Sequence, residues 1–263
     1  MKKISVVTPT YNEEENIELL YEKIKKEFVN LDYEYEHIVI DNNSTDNTIP
    51  ILRKICENDK NVKVIINNKN YGHISSPFYG ILQSTGDATI LIASDFQDPI
   101  ELIPKLINKW ENKQKIVLLQ KKTSEENVLM KNIRKIYYRL LTKTSDNKLT
   151  IDTTGSGIFD KSVIKTFKTL KEPLPYLRGL VSEIEDDIAL IQFDQPKRKH
   201  GKTKNSLFTL IDMAMLGFVK HSKMPLRLMI ILGFIVSVLS FFVSIIFLFY
   251  KLFFWDSFDL GMA

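Results

Sequence analysis

Residues 228–250, Leu-Met-Ile-Ile-Leu-Gly-Phe through Phe-Leu-Phe-Tyr, contain no charged side chain. As a helix this run would rise roughly 34 Å at about 1.5 Å per residue, enough to cross a hydrocarbon layer roughly 30 Å thick. A helix of a soluble core keeps a polar face, and this one has none, so the run reads as a transmembrane helix over 225–251. Lys220, Lys223 and Arg227 precede it, while Asp256 and Asp259 follow and Lys251 is the one basic residue beyond. That bias places residues 1 to about 225 on the cytosolic side of the cell (plasma) membrane. Met1-Lys2-Lys3 runs into a short strand-like segment, so no signal peptide is expected. Cys56 is the single cysteine, which excludes an internal disulfide and suits the cytosol. A net charge of +4 without a nucleic-acid motif gives no reason to expect a nucleic-acid partner.

Ahead of that run, short apolar segments alternate with amphipathic ones. Strands are expected at Ile4–Thr8, Tyr35–Ile40, Val62–Ile66, Thr89–Ala93 and Ile116–Leu119. Helices are expected at Glu13–Phe28, with Ile17, Leu20, Ile24 and Phe28 on one face, and at Thr45–Cys56, Ile74–Leu82, Pro99–Trp110 and Glu125–Leu141. Alternation of this kind implies parallel pairing and an open α/β sheet covered on both faces. Thr153-Thr154-Gly155-Ser156-Gly157 reads as a turn leading to Ile158 and Phe159. Residues 206–224 are apolar-rich and lie just before the span, as either a helix in the membrane interface or an ordinary core helix. The expected division is a catalytic domain over 1–205, a juxtamembrane segment over 206–224, the span over 225–251 and a tail over 252–263.

Ligands of open α/β sheets bind outside the carboxyl ends of the strands, where this sequence concentrates its polar residues. Thr8-Pro9-Thr10-Tyr11-Asn12-Glu13 follows the first strand, Asp41-Asn42-Asn43-Ser44-Thr45-Asp46 the second, and Asn70-Tyr71-Gly72-His73 the third. Pro9 stiffens its turn, Tyr11 offers a ring to stack on a base, and Glu13 and Asp41 can accept hydrogen bonds from a base or ribose. His73 is either a phosphate contact or a solvent-facing loop histidine. Ser94-Asp95-Phe96-Gln97-Asp98-Pro99 follows the fourth strand. It reads either as a helix-capping loop or as a set of hard oxygen ligands for Mg²⁺ or Mn²⁺, which can neutralise a diphosphate leaving group. The basic run Lys197-Arg198-Lys199-His200-Gly201-Lys202-Thr203-Lys204, close to the span, suits a lipid phosphate or an anionic membrane surface.

In order and spacing, these motifs together with Arg178-Gly179 and Pro225-Leu226-Arg227 resemble the inverting nucleotide-sugar glycosyltransferases of family 2. The likeness is strongest to polyprenyl-phosphate glycosyltransferases related to dolichol-phosphate mannose synthase, and it covers nearly the whole chain. It implies a Rossmann-like, mostly parallel sheet of the GT-A type, followed by interfacial helices and a C-terminal transmembrane helix. It further implies a nucleotide held by Pro9, Tyr11, Glu13, Asp41 and Lys121, and a metal, Mg²⁺ or Mn²⁺, at Asp95 and Gln97. Asp95, Gln97 and Asp98 are the expected catalytic set, and Arg198 and Lys204 the expected grip on the acceptor phosphate. Lys121 stands where many relatives carry Arg, and contacts phosphate as a point charge rather than a fork.

The partners implied are a nucleoside diphosphate sugar, UDP-linked, and a polyprenyl phosphate such as undecaprenyl phosphate, with homo-oligomerisation left open. Two positions depart from the pattern. Ala93 and Gly155 stand where many relatives have Asp. They keep two alternatives in view: a transferase acting on another lipid or glycan, and a non-catalytic nucleotide-sugar-binding membrane protein. A phosphate monoester acceptor has a second pKa of about 6 and is already a nucleophile at neutral pH, so the expected chemistry makes little demand for a general base.

Overall fold

The computed structural model describes residues 1–123, 132–133, 136–137, 139, 141, 153–170, 172, 175–196 and 207–254. Its first part winds β1 (Lys3–Thr10), α1 (Ile17–Val29), β2 (Glu34–Asp41), α2 (Thr48–Asn58), β3 (Val62–Ile66), α3 (Gly72–Leu82) and β4 (Ala88–Leu91). A 3₁₀ turn at Ile100–Leu102 leads into α4 (Ile103–Glu111), then β5 (Ile116–Thr123). The single helix expected over Pro99–Trp110 is broken there because Pro104, lacking an N–H, occupies the first turn of α4. β6 (Thr153–Asp160), α5 (Lys161–Leu170), α6 (Leu177–Ile184) and β7 (Ile188–Asp194) complete the sheet region, followed by α7 (Leu207–His221) and α8 (Met224–Phe253).

The seven strands form one sheet in the order β3-β2-β1-β4-β6-β5-β7. All neighbours run parallel except β6, which is antiparallel to both β4 and β5. The chain moves outward from β1 to β3, then returns to place β4 on the other side of β1. That reversal opens a crevice at the carboxyl ends of β1 and β4, the usual ligand position in such sheets.

Alternation along β1 sends Ile4 and Val6 to one face and Val7 to the other. The first face is closed by Ile17, Leu20 and Ile24 of α1, Leu52 of α2 and Ile103, Leu106 and Trp110 of α4. The second is closed by Phe78 and Ile81 of α3, Val163 and Phe167 of α5 and Leu180 and Val181 of α6. Burial of apolar surface on both faces, at about 25 cal/mol per Å², holds the layers together.

The turn expected at 153–157 is instead the first half of β6. Gly157 lies so close to β5 that a Cβ there would stand 2.1 Å from the Val117 carbonyl oxygen. The β5–β6 register shifts between Leu118 and Gln120. The glycines that suggest a turn therefore mark a crowded, irregular stretch of buried strand.

Helix α8 contains no buried residue and is long and apolar enough to cross a membrane. Helix α7 is buried on one side and exposed on the other. Gly217 is buried against Tyr176, whereas Phe208, Ile211, Met215 and Val219 are exposed. Most of the helix expected over Glu125–Leu141, and the tail from 255, lie outside the described residues.

Candidate active site

The loops after β1, β2 and β4 converge on the crevice. They hold three of the four non-glycine residues with positive φ among the described residues: Asn12 (53°), Asn43 (65°) and Phe96 (60°). Asn tolerates this conformation, but a bulky side chain pays roughly 1–2 kcal/mol for it. Phe96 is held there by packing against the α1 side of the core, with Lys23 Nζ 5.6 Å from its ring centre.

Side chains lace the first two loops together. Asn12 N–H donates to Ser44 Oγ at 2.8 Å, Thr45 N–H to Asn12 Oδ1 at 2.7 Å, and Glu13 N–H to Thr48 Oγ1 at 2.8 Å. Asp41 is fully buried, and its carboxylate accepts from the backbone N–H and hydroxyl of Ser44. It orders its own loop. The Asn42 amide accepts from Asn67 Nδ2 and Tyr71 N–H and donates to Asn70 Oδ1 and the Gly72 carbonyl. That network fixes the loop leading into α3.

These loops enclose a cleft of about 630 Å³. Pro9, Thr10, Tyr11 and Glu13 form one wall, and Ala93, Ser94 and Asp95 line it at the end of β4. Thr154, Gly155 and Ser156 of β6 continue it, with Arg178 of α6 above and Thr209 and Met213 of α7 at the rim. Thr10 is 3% exposed, and its hydroxyl has no hydrogen-bond partner among the described residues. Among the described residues it is the one buried, partnerless polar side-chain atom belonging to a cleft-lining residue.

Asp95 is buried, and its Oδ1 accepts the Gln97 N–H at 3.1 Å. Asp98 lies deeper. Its Oδ2 accepts the Ser156 hydroxyl at 2.5 Å and the Ala93 N–H at 3.4 Å. Burial pushes the Asp98 carboxyl up from the usual range, with the neighbouring Asp95 adding to this, while the Ser156 hydrogen bond and the Lys121 charge oppose it. Asp98 thus ties the acidic loop to β6.

Among the described residues, no three His, Cys, Asp or Glu side chains stand together as a ready metal cage. The loop offers one carboxylate, Asp95, with the Gln97 amide two residues on. Mg²⁺-type sites commonly combine one or two carboxylates with substrate phosphates, and this donor set fits that arrangement.

Of the residues singled out from the sequence, Pro9, Tyr11, Glu13 and Asp95 line the cleft together. Asp41 and Asp98 stand behind it as buried supports. Gln97 belongs to the acidic loop but, like Lys121, does not line the cleft, and Lys121 acts on Asp98 through its charge. Arg198 and Lys204 lie outside the described residues. His73 proves to be a cleft residue in the first turn of α3. Burial and the charge of Arg178 hold its imidazole below the ordinary pKa. Thr10 and Asn42 lie within the strand-end motifs and Ser156 in the stretch expected to turn, none with a role attached. Arg178 stands in the Arg178-Gly179 pair, also without a role attached.

Residues 5–167 match the sequence pattern described as Glycosyl transferase family 2. The chain is similar to "Uncharacterized glycosyltransferase YkcC" of Bacillus subtilis (strain 168), at 33% identity over 95% of this chain and 77% of that one. It is likewise similar to the bactoprenol glucosyl transferase of Shigella phage SfX, at 31% identity over 91% of this chain and 79% of that one. Among solved structures, the fold matches glucosyl-3-phosphoglycerate synthase from Mycobacterium tuberculosis in complex with Mn²⁺, UDP and phosphoglyceric acid. That match has a TM-score of 0.60 and 21% identity, covering 81% of this chain and 75% of that one.

Proposed function

Since the chain belongs to glycosyl transferase family 2, we propose that it moves a sugar from a UDP-linked donor to a polyprenyl phosphate of the undecaprenyl type. The reaction takes place at the cytosolic face of the cell membrane. The observation that carries this reading is the composition of one cleft. A wall with a stacking ring, an acidic loop and a helix continuing toward an apolar span all line the same 630 Å³. Relatives named bactoprenol glucosyl transferase, at 31% identity over 91% of the chain, support the acceptor class. In this reading 1–205 is the catalytic domain, 206–224 the juxtamembrane segment and 225–251 the span, with the basic run before α7 on the cytosolic side.

Pro9 and Tyr11 hold the base, and the Asp41–Ser44 and Asn42 networks keep their loops rigid, so little ordering entropy is spent on binding. The Thr10 hydroxyl is placed to bond the donor. Asp95 and the Gln97 amide would hold a divalent metal, Mg²⁺ or Mn²⁺, which when bound supplies positive charge to a departing diphosphate. Asp98 positions the loop from below. The acceptor phosphate, with its second pKa near 6, is dianionic at neutral pH and attacks the anomeric carbon without a protein base. The protein's tasks are alignment and exclusion of water. Arg198 and Lys204 belong to the basic run that would meet the acceptor's phosphate near the membrane surface.

A panel of nucleotide sugars offered with a short-chain polyprenyl phosphate, with products read by mass spectrometry, tests this reading. A glycosylated lipid phosphate dependent on one donor is the expected result. Transfer only to a glycan or a diacylglycerol would overturn the acceptor assignment.

A further inference from the structure

We propose that the main-chain carbonyl of His73, freed by Pro77, is the acceptor that recognises a hydroxyl of the donor's sugar. The inference rests on the reading of the cleft as a nucleotide-sugar site. Pro77 stands in the middle of helix α3. In an unbroken α-helix each N–H donates to the carbonyl four residues back. Proline has no N–H, so the helical donor to the His73 carbonyl is missing. The carbonyl before it is better supplied, since Gly72 O takes a bond from Asn42 Nδ2 at 3.3 Å. No side chain among the described residues does the same for His73. Residues four apart share a helix face, and His73 and Pro77 both line the cleft. The open acceptor lies between them, on that face.

Helix α3 holds this acceptor in place. Asn70 Oδ1 takes the Gly72 N–H at 2.8 Å, and Asn67 Nδ2 donates to Ser76 Oγ at 3.2 Å. Gly80 lies so close to the sheet that a Cβ there would stand 2.8 Å from Val7 Cγ1 and 3.1 Å from Ile40 Cγ2. A carbonyl fixed in this way loses little freedom when a ligand meets it. Proline is the least favourable residue for a helix interior, and a broken local rule beside a cleft is where function is expected. Place in the cleft selects the ligand. The base-binding wall belongs to β1, and the acidic loop follows β4. His73 reaches near enough to α6 for the charge of Arg178 to act on its imidazole, and Arg178 bonds the Thr154 carbonyl of β6, the strand beyond β4. The first turn of α3 thus extends past the acidic loop, where a sugar lies once base and diphosphate are seated. A carbonyl bonds only donors. Phosphate oxygens gain nothing from it, whereas a sugar hydroxyl does, and a sugar lacking that hydroxyl leaves it unpaired.

The test is titration of UDP-glucose and of UDP, in excess Mn²⁺, into the full chain in detergent, with urea unfolding alongside. Pro77→Ala restores the N–H that fills the His73 carbonyl. It should weaken UDP-glucose binding by about three- to tenfold, the worth of one neutral hydrogen bond, and leave UDP binding within about twofold of the wild type. Its urea midpoint should not fall, because alanine suits a helix interior better than proline. Weaker binding then has no origin in a loosened fold. Monodeoxy analogues of UDP-glucose locate the partner. One of them should bind the wild type about three- to tenfold more weakly than UDP-glucose does, yet bind Pro77→Ala no more weakly than UDP-glucose does. Unchanged UDP-glucose affinity in Pro77→Ala would overturn the assignment. An equal loss for UDP would also overturn it, moving the contact from the sugar to the nucleotide. If the urea midpoint of Pro77→Ala falls, the analogues decide, and penalties identical in the two proteins refute the carbonyl contact. A wild type that binds neither ligand would sink the functional reading and this inference with it. A wild type that binds both, with Pro77→Ala unmoved, would sink this inference alone.

Discussion

His37 offers a test of the sheet's energetics that can be separated from catalysis. It sits in β2 and is 1% exposed, with its Nε2 3.0 Å from Thr8 Oγ1 in β1. Its Nδ1 has no hydrogen-bond partner among the described residues. Protonation would place a second N–H and a full charge where nothing receives them. Burial accordingly lowers the pKa from 6.5 to about 4, only partly offset by the charge of Asp59. The unfolded chain takes up this proton first as pH falls, so the native state has its full advantage above pH 6.5 and loses it progressively toward pH 4. At about 1.36 kcal/mol per pH unit the whole loss is about 3.4 kcal/mol, of which about 2 kcal/mol is gone by about pH 5.

Glu36 does not intrude on that window. Burial works against its charge, but hydrogen bonds from Lys63, Ser5 and Thr85 outweigh this and hold its pKa at about 2. Its contribution is therefore complete above pH 4.5 and is lost only as pH falls from there toward 2. Urea unfolding of the detergent-solubilised chain, followed by fluorescence from about pH 7.5 to about pH 5, should show a loss in the wild type about 2 kcal/mol greater than in a His37 variant, since His73 and Asp98 titrate alike in both. His37→Gln keeps a partner for Thr8 but cannot titrate, so its stability should be flatter across the same range. A variant with the same slope as the wild type would refute the reasoning. The acid limb of turnover should nonetheless survive in His37→Gln, because the acceptor phosphate itself becomes monoanionic below about pH 6.

Three further outcomes follow from the cleft and the sheet. Asp95→Asn should lower metal-dependent turnover on the order of 100-fold with unfolding unchanged, and Gln97→Ala should cost less, since an amide brings no charge; near-normal turnover in a folded Asp95→Asn protein would remove the metal assignment. Thr10→Val should weaken donor binding by about three- to tenfold, the worth of one neutral hydrogen bond, and titration of UDP against both proteins checks it. Gly157→Ala should destabilise the fold by about 3 kcal/mol or more, because the new methyl would meet backbone rather than a movable side chain. Its urea midpoint is the readout, and a wild-type midpoint would contradict the close β5–β6 approach.

The parts of the fold visible in the sequence are those set by periodicity. The inward face of α1 is Ile17, Leu20, Ile24 and Phe28, the same four residues that the helical spacing picks out. β3 runs from Val62 to Ile66 as expected. β6 was hidden because its glycines serve close approach inside a sheet, and local sequence does not distinguish that from a turn. The left-handed backbone at Phe96 was equally hidden, since an aromatic residue argues against it and only the packing against α1 makes it tolerable. Within the site, residues carrying recognisable chemistry at strand ends were legible. The second layer was not. Asp98 read as part of the catalytic set, and its burial and its hydrogen bond from Ser156 were not visible in the sequence. The bonds by which Ser44 N–H and hydroxyl engage Asp41 were likewise not visible in the sequence.

Ala93 and Gly155, the two departures from the resembled family, act on one electrostatic balance. Ala93 contributes its N–H to Asp98, a role for which no side chain is needed. A carboxylate at 93 would bring a further negative charge to a loop that already holds Asp95 and a buried Asp98. Gly155 has φ +86°, which favours glycine, and a side chain there would stand against Arg178. Both positions thus leave less negative charge in a cleft whose two substrates are themselves anions. The consequence falls on the metal. With Asp95 as the one cleft-lining carboxylate of the acidic loop, the donor's phosphates must complete the coordination shell, so metal and nucleotide should bind cooperatively. Mn²⁺ titrated into the nucleotide-free protein should bind weakly, and its affinity should rise about tenfold or more when UDP is present, with the reciprocal gain in UDP affinity that linkage requires. Tight Mn²⁺ binding without nucleotide, or equal affinities in the two titrations, would refute the argument and point to a protein-built metal cage.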